Sequence, residues 1–127
     1  MDAWLVQIDK HGAIKWDKTV GGTGSEQCLF SITTHNGDYL IGGNTTSSDG
    51  DFVNIKGWQD GWVMHIDKQG KEKWVRVMGG TGNDLFKGAQ ERVKGNYILA
   101  GHSDSNDGDV SGNHGFTDVW LVTITDK

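Results

Sequence analysis

The residues best suited to chemistry lie in one acidic stretch, Asp104-Ser105-Asn106-Asp107-Gly108-Asp109. Clustered carboxylate and amide oxygens are the hard ligands that calcium takes. Asp104, Asn106, Asp107 and Asp109 are therefore the candidate metal ligands, and calcium is the one candidate cofactor; otherwise none is expected. The stretch departs from the EF-hand pattern, which sets Gly sixth, whereas Gly108 is fifth. Its counterpart, Thr46-Ser47-Ser48-Asp49-Gly50-Asp51, lacks the first Asp and the Asn. The simpler reading is a pair of Asp-Gly turns whose side chains bond nearby backbone. His102 and His114 flank the acidic stretch and would add to a metal set only if they met in space. None of the five histidines has zinc-site spacing.

Loop aromatics are the second candidate. Trp58 and Phe116 occupy equivalent positions, and Asn113 and His114 lie beside Phe116. These four are the candidate ligand-binding residues, because aromatic faces stack on the apolar faces of sugar rings and the polar pair could orient a ligand. Trp4, Trp62 and Trp120, like Trp16 and Trp74, recur at equivalent strand-like positions and read as core. Gly21 to Gly24 and Gly79 to Gly82 look superficially phosphate-binding, but no Lys-Ser/Thr follows, so they read as turn glycines. Cys28 aligns with Phe86 and is expected in the core. Asp2, Asp60 and Asp118 open equivalent strands and are expected to bond a neighbouring turn's backbone. No nucleophile stands beside a base, so no catalytic residue is assigned.

What must position these residues is a repeat. Asp2-Ala3-Trp4-Leu5-Val6-Gln7-Ile8 returns as Asp60-Gly61-Trp62-Val63-Met64-His65-Ile66 and again as Asp118-Val119-Trp120-Leu121-Val122-Thr123-Ile124, each time 58 residues on. The register holds between copies: Trp16 with Trp74, Gly21-Gly22-Thr23-Gly24 with Gly79-Gly80-Thr81-Gly82, Gly43 with Gly101, and Asp49-Gly50-Asp51 with Asp107-Gly108-Asp109. This divides the single module 1–127 into a first unit, 2–59, a second, 60–117, and the start of a third, 118–127. Apolar residues alternate with period two, and His11-Gly12, Asn36-Gly37, Gln69-Gly70 and Lys94-Gly95 mark hairpin turns. Strands are expected near 3–9, 13–20, 28–35, 38–45, 61–67, 72–78, 85–93, 96–103 and 119–125, with no helix.

Four short antiparallel strands per unit describe a β-propeller blade, making the chain all-β with two repeats of 58 residues. Propellers need ~4–8 blades, so two units would form a ring only with other copies or as a piece of a longer array. The duplicate of strand 2–8 at 118–124 is surplus to a simple ring, which suits a fragment or a strand exchanged between chains.

The sequence resembles kelch-type blades in Tyr39-Leu40-Ile41-Gly42-Gly43 followed by strands with Trp62 and Trp74. It is more similar still to repeats of secreted or surface-anchored bacterial propellers, through Asp60 to Gly80, Asp38 to Gly43 and Asn106 to Gly115. That resemblance implies a propeller and a secreted or cell-surface location in a bacterium, with no agreed activity. No signal-peptide pattern opens the sequence. The first unit departs from the loop motif, with Phe52-Val53-Asn54-Ile55-Lys56 where the second has Val110-Ser111-Gly112-Asn113-His114.

Net charge is −5 and no basic patch stands out, so neither nucleic acid nor an anionic membrane is an expected partner. A lone cysteine forms no disulfide within the chain. The leading expectation is a non-enzymatic binding or scaffold module that forms a homo-oligomeric ring and takes a carbohydrate or protein ligand in loops 46–59 and 104–117. The alternatives are a purely structural, engineered or excised propeller piece without a ligand, and a propeller lyase or hydrolase with its site at the ring mouth.

Overall fold

The computed structural model describes residues 1–126. The chain is all-β and antiparallel, with no helix among the described residues. β1 (Ala3–Ile8) pairs with β2 (Ile14–Val20). β3 (Glu26–Thr33), β4 (Tyr39–Thr45), β5 (Asp60–Ile66) and β6 (Glu72–Met78) form a four-stranded sheet in sequence order. β7 (Asp84–Val93), β8 (Asn96–Ser103) and β9 (Asp118–Thr125) form a third sheet of three strands. The nine strands fall within two residues of the expected limits, because period-two patterning bounded by Gly turns specifies a strand closely. Only the middle sheet has four strands, and the three sheets do not close into a ring.

The hairpin turns follow their residues. Asp9 Oδ1 accepts from the backbone N–H of His11 and Ala13, and Asp67 Oδ1 accepts likewise from Gln69 and Lys71. Such bonding by Asp side chains substitutes for a strand ladder where the chain reverses. β3 and β7 each carry a register shift, after Cys28 and after Phe86. The facing glycines explain it: a Cβ at Gly43 would lie 1.9 Å from the Gln27 carbonyl oxygen, and one at Gly101 1.8 Å from that of Leu85. Only glycine lets the bulged strand approach so closely.

The sheets stack face to face through two apolar layers. Ala3 and Val20 of the first sheet meet Ile41, Phe52, Trp62, Met64 and Ile66. Leu40 and Val63, on the other face of the middle sheet, meet Phe86, Tyr97, Leu99, Val110, Trp120 and Ile124. Side chains alternate along a strand, so Trp62 serves one layer and Val63 the other. β5 is consequently buried at every position. β6 lies at the sheet edge and is half-exposed; its Lys73 pairs with Asp38, and its Arg76 lies over the Trp74 ring and donates to the Thr125 carbonyl of the third sheet, charge on an edge strand that discourages strand addition.

Two expected core residues are corrected here. Trp4 is 64% exposed, whereas its equivalent Trp62 is fully buried at 0%. Trp62 points toward the first sheet, while Trp4 points away from the middle sheet, its Nε1 donating to Asp17 on the neighbouring strand (3.1 Å). Cys28 is exposed, whereas its equivalent Phe86 is buried. The cause is an exchange of partners. Phe86 lies across Gly101 and stacks on Trp120 with centroids 4.8 Å apart, but Trp62 takes its aromatic neighbour from the loop, Phe52 at 5.3 Å. A small residue therefore suffices at position 28, as Val110 suffices where the first unit has Phe52.

Candidate functional site: the long loops and the turns they grip

The acidic loops clasp the glycine turns. In the second unit, five successive backbone N–H groups each donate to a side chain: Gly79 to Asp109 (3.0 Å), Gly80 to Asp84 (2.9 Å), Thr81 to Asp107 (2.8 Å), Gly82 to Ser105 (2.9 Å) and Asn83 to Asp104 (2.5 Å). The first unit repeats the pattern, with Gly21 donating to Asp51, Gly22 to Glu26, Thr23 to Asp49, Gly24 to Ser47 and Ser25 to Thr46. A run of N–H groups in a turn is a natural anion cradle. Here the loop's carboxylates and hydroxyls, with the acid that opens the next strand (Glu26 or Asp84), fill it in both units. Gly50 and Gly108 take φ of +65° and +63° so that the loops can double back on Gly21 and Gly79.

Beneath each clasp sits a buried acid that sequence reasoning missed. Glu26 accepts from Thr45 and Ser47 hydroxyls, and Asp84 accepts from Ser103 and Ser105. The available signal was an acid at both equivalent positions, each paired at a fixed distance with Ser or Thr. Asp60 accepts from the backbone N–H of Lys56 and Gly57, and Asp118 from that of His114, as expected for acids that open a strand and hold the turn before it. Burial raises the carboxyl of Asp60 above its ordinary value, only partly offset by those two donors.

The four candidate calcium ligands are thus placed as turn-holding groups. Asp104, Asp107 and Asp109 hold backbone donors, and Asn106 Oδ1 accepts from Asn113 N–H. Asp109 also pairs with Lys56. The Asn83 backbone N–H, the first cause, holds Asp104 below the usual carboxylate range. No group of three or more His, Cys, Asp or Glu is set to hold a metal among the described residues, so His102 and His114 do not join the acids in such a group.

The candidate ligand residues divide into two kinds. Trp58 is 82% exposed and Phe116 95% exposed, each on the loop entering a strand. Asn113 is structural, its Nδ2 donating to the Ser103 and Ser105 carbonyls and its Oδ1 accepting from Gly115 N–H. His114 is exposed, its ring 3.5 Å from Asp118.

A second cluster joins the middle and third sheets. His65 is buried, its Nε2 3.0 Å from Asp38 Oδ2 and its Nδ1 2.7 Å from Asp126 Oδ1. Trp74 Nε1 and Tyr97 OH also donate to Asp126, and Lys73 donates to Asp38. Burial opposes ionisation of both acids, but Lys73 and His65 overcome it at Asp38, and His65, Trp74 and Tyr97 at Asp126, holding each carboxyl below its ordinary value. Burial and the Asp126 bond push the Tyr97 hydroxyl up. The first unit has no such cluster: Gln7, the equivalent of His65, simply donates to Tyr39 OH. The chain matches no protein-family model and no curated protein.

Proposed function

We propose that this protein is a non-enzymatic binding or scaffold module of the β-propeller type, in which copies of the chain associate through their outer sheet faces. One observation carries the reading. Trp62, Met64 and Ile66 are buried by the neighbouring sheet, while the equivalent Trp4, Val6 and Ile8 are exposed. On the opposite side Val63 is buried at 0%, while its equivalent Leu121 is 61% exposed and Val119 beside it is exposed too. Each outer face therefore has the chemistry of a face that the protein already covers internally, and the face of one copy complements the other face of the next. Exposed apolar surface of this kind marks an interaction site. The expected test is Trp4→Glu, which places a charge in that contact at an exposed position. Sedimentation should show association in the natural chain and a single copy in the variant; a natural chain that sediments as one copy at all concentrations contradicts the reading.

Binding chemistry belongs to the loop aromatics. Trp58 and Phe116 are the most exposed aromatic hydrophobics among the described residues and belong to neither core layer, so their exposure serves contact with a ligand, for which the apolar face of a carbohydrate is the best match. The clasps favour scaffold over catalyst, because the acids of both loops are committed to backbone donors in duplicate. A glycan array should give signal that is lost in Trp58→Ala; a silent array with the natural chain counts against the sugar.

A further inference from the structure

We infer that copies of this chain join by strand exchange, β1 of one copy replacing β9 on the edge of β8 of the next. The inference rests on the association proposed above and specifies its partner and geometry.

β1 and β9 are interchangeable in the residues that matter. Asp2, Trp4, Leu5, Val6 and Ile8 are identical to Asp118, Trp120, Leu121, Val122 and Ile124, a closer match than either makes with β5. β8 pairs with β9 through Gly101 with Trp120, Ala100 with Leu121, Leu99 with Val122 and Tyr97 with Ile124. β1 entering in that register brings the same side chains, and Trp4 then takes the place of Trp120 against Phe86. β1 also has a free edge, since it pairs only with β2 among the described residues. A groove of about 500 Å³ runs beside that edge, between Trp4, Leu5 and Val6 on one side and Cys28, Leu29 and Phe30 on the other.

Stacking of outer faces alone leaves the edge of β1 unpaired and this groove open. Exchange closes both. It places β7 and β8 of one copy in line with β1 and β2 of the next as a four-stranded sheet, in the order of β3 to β6. The groove beside Leu29 is then covered as β7 already covers the equivalent strands within the chain. Free strand edges are templates for such pairing. The identical step on every copy gives a heterologous, repeating contact.

Asp126 is the positioning residue that opposes exchange. It follows β9 directly and ties it to the middle sheet through His65 and Trp74. The residue of β1's hairpin that would enter its place is Lys10, which carries the opposite charge.

The test is disulfide trapping in the full chain with Cys28→Ser. Leu5→Cys with Ala100→Cys should yield a bond between copies, since β1 and β8 lie in sheets separated by the middle one within a copy. Adding Asp126→Asn should raise its yield severalfold. Association without that bond, while Ala100→Cys with Leu121→Cys closes within single chains, overturns exchange and leaves the proposed association standing. A chain that never associates overturns both. Hydrogen exchange on the natural chain guards against variants that fail to fold: on association the amides of β1 should gain protection and those of β9 lose it, and retained protection in β9 overturns the inference.

Discussion

Equivalent residues in this chain have unequal duties, and substitution can separate them. Trp62 is fully buried against Phe52, so Trp62→Ala should cost about 3–5 kcal/mol of stability. Trp4→Ala, at the equivalent but open position, should change the stability of a single copy by no more than about 0.5 kcal/mol and weaken association instead. Urea unfolding of both variants below the association concentration checks the contrast; equal losses would contradict the assignment of faces. The clasp is likewise testable. Asp107→Ala removes the acceptor of both the Thr81 N–H and its hydroxyl and should cost about 1–3 kcal/mol, independent of added calcium. A variant that loses a calcium-dependent rise in melting temperature would return the loop to metal binding.

At the scale of elements, the junction of the middle and third sheets differs from the first junction in being tied by charge. Asp126, after β9, bonds His65 and Trp74 across that junction, while Asp38 bonds His65 and Lys73 within the middle sheet, and both carboxyls are held below their ordinary values despite burial. Depressed folded values mean that the stability they add is present above the unfolded value, near pH ~3.9, and is lost as pH falls through the folded values. Acid should therefore release the third sheet first. Fluorescence of Trp74, isolated by replacing the other tryptophans, should change between about pH 4 and 2; an unchanged signal while the rest unfolds would contradict it. The strands themselves were legible because alternation and glycine-bearing hairpin turns such as His11-Gly12 and Asn36-Gly37 act locally. The exposure of Trp4 and Cys28 was not, because burial belongs to whichever sheet lies opposite, and pairwise equivalence of positions assumes equal neighbours. The buried acids Glu26 and Asp84 escaped notice because a single carboxylate in a strand looks like an edge charge until its hydroxyl partners are placed. The acidic loops were legible as turns, but their hold on the glycine runs, some 26 residues back at Thr81 and Asp107, was not.

At the scale of the whole molecule, two internal junctions and two open faces make up the unit that the proposed association would propagate. Contacts of this head-to-tail kind close into rings when the rotation between units allows it and otherwise run on as filaments. Under the proposed β-propeller reading, two units per chain would make four, six or eight blades from two, three or four copies, the usual range. Cys28 supplies a natural reporter, since its exposed side chain lines the groove that the proposed association would cover. Alkylation should be several times slower in the associated form than in the dilute chain; equal rates would mean that the groove stays open. The most direct measurement is the native mass of the natural chain. A single discrete mass of two, three or four copies is the predicted result, and one copy at every concentration would contradict the claim that its outer faces cover each other.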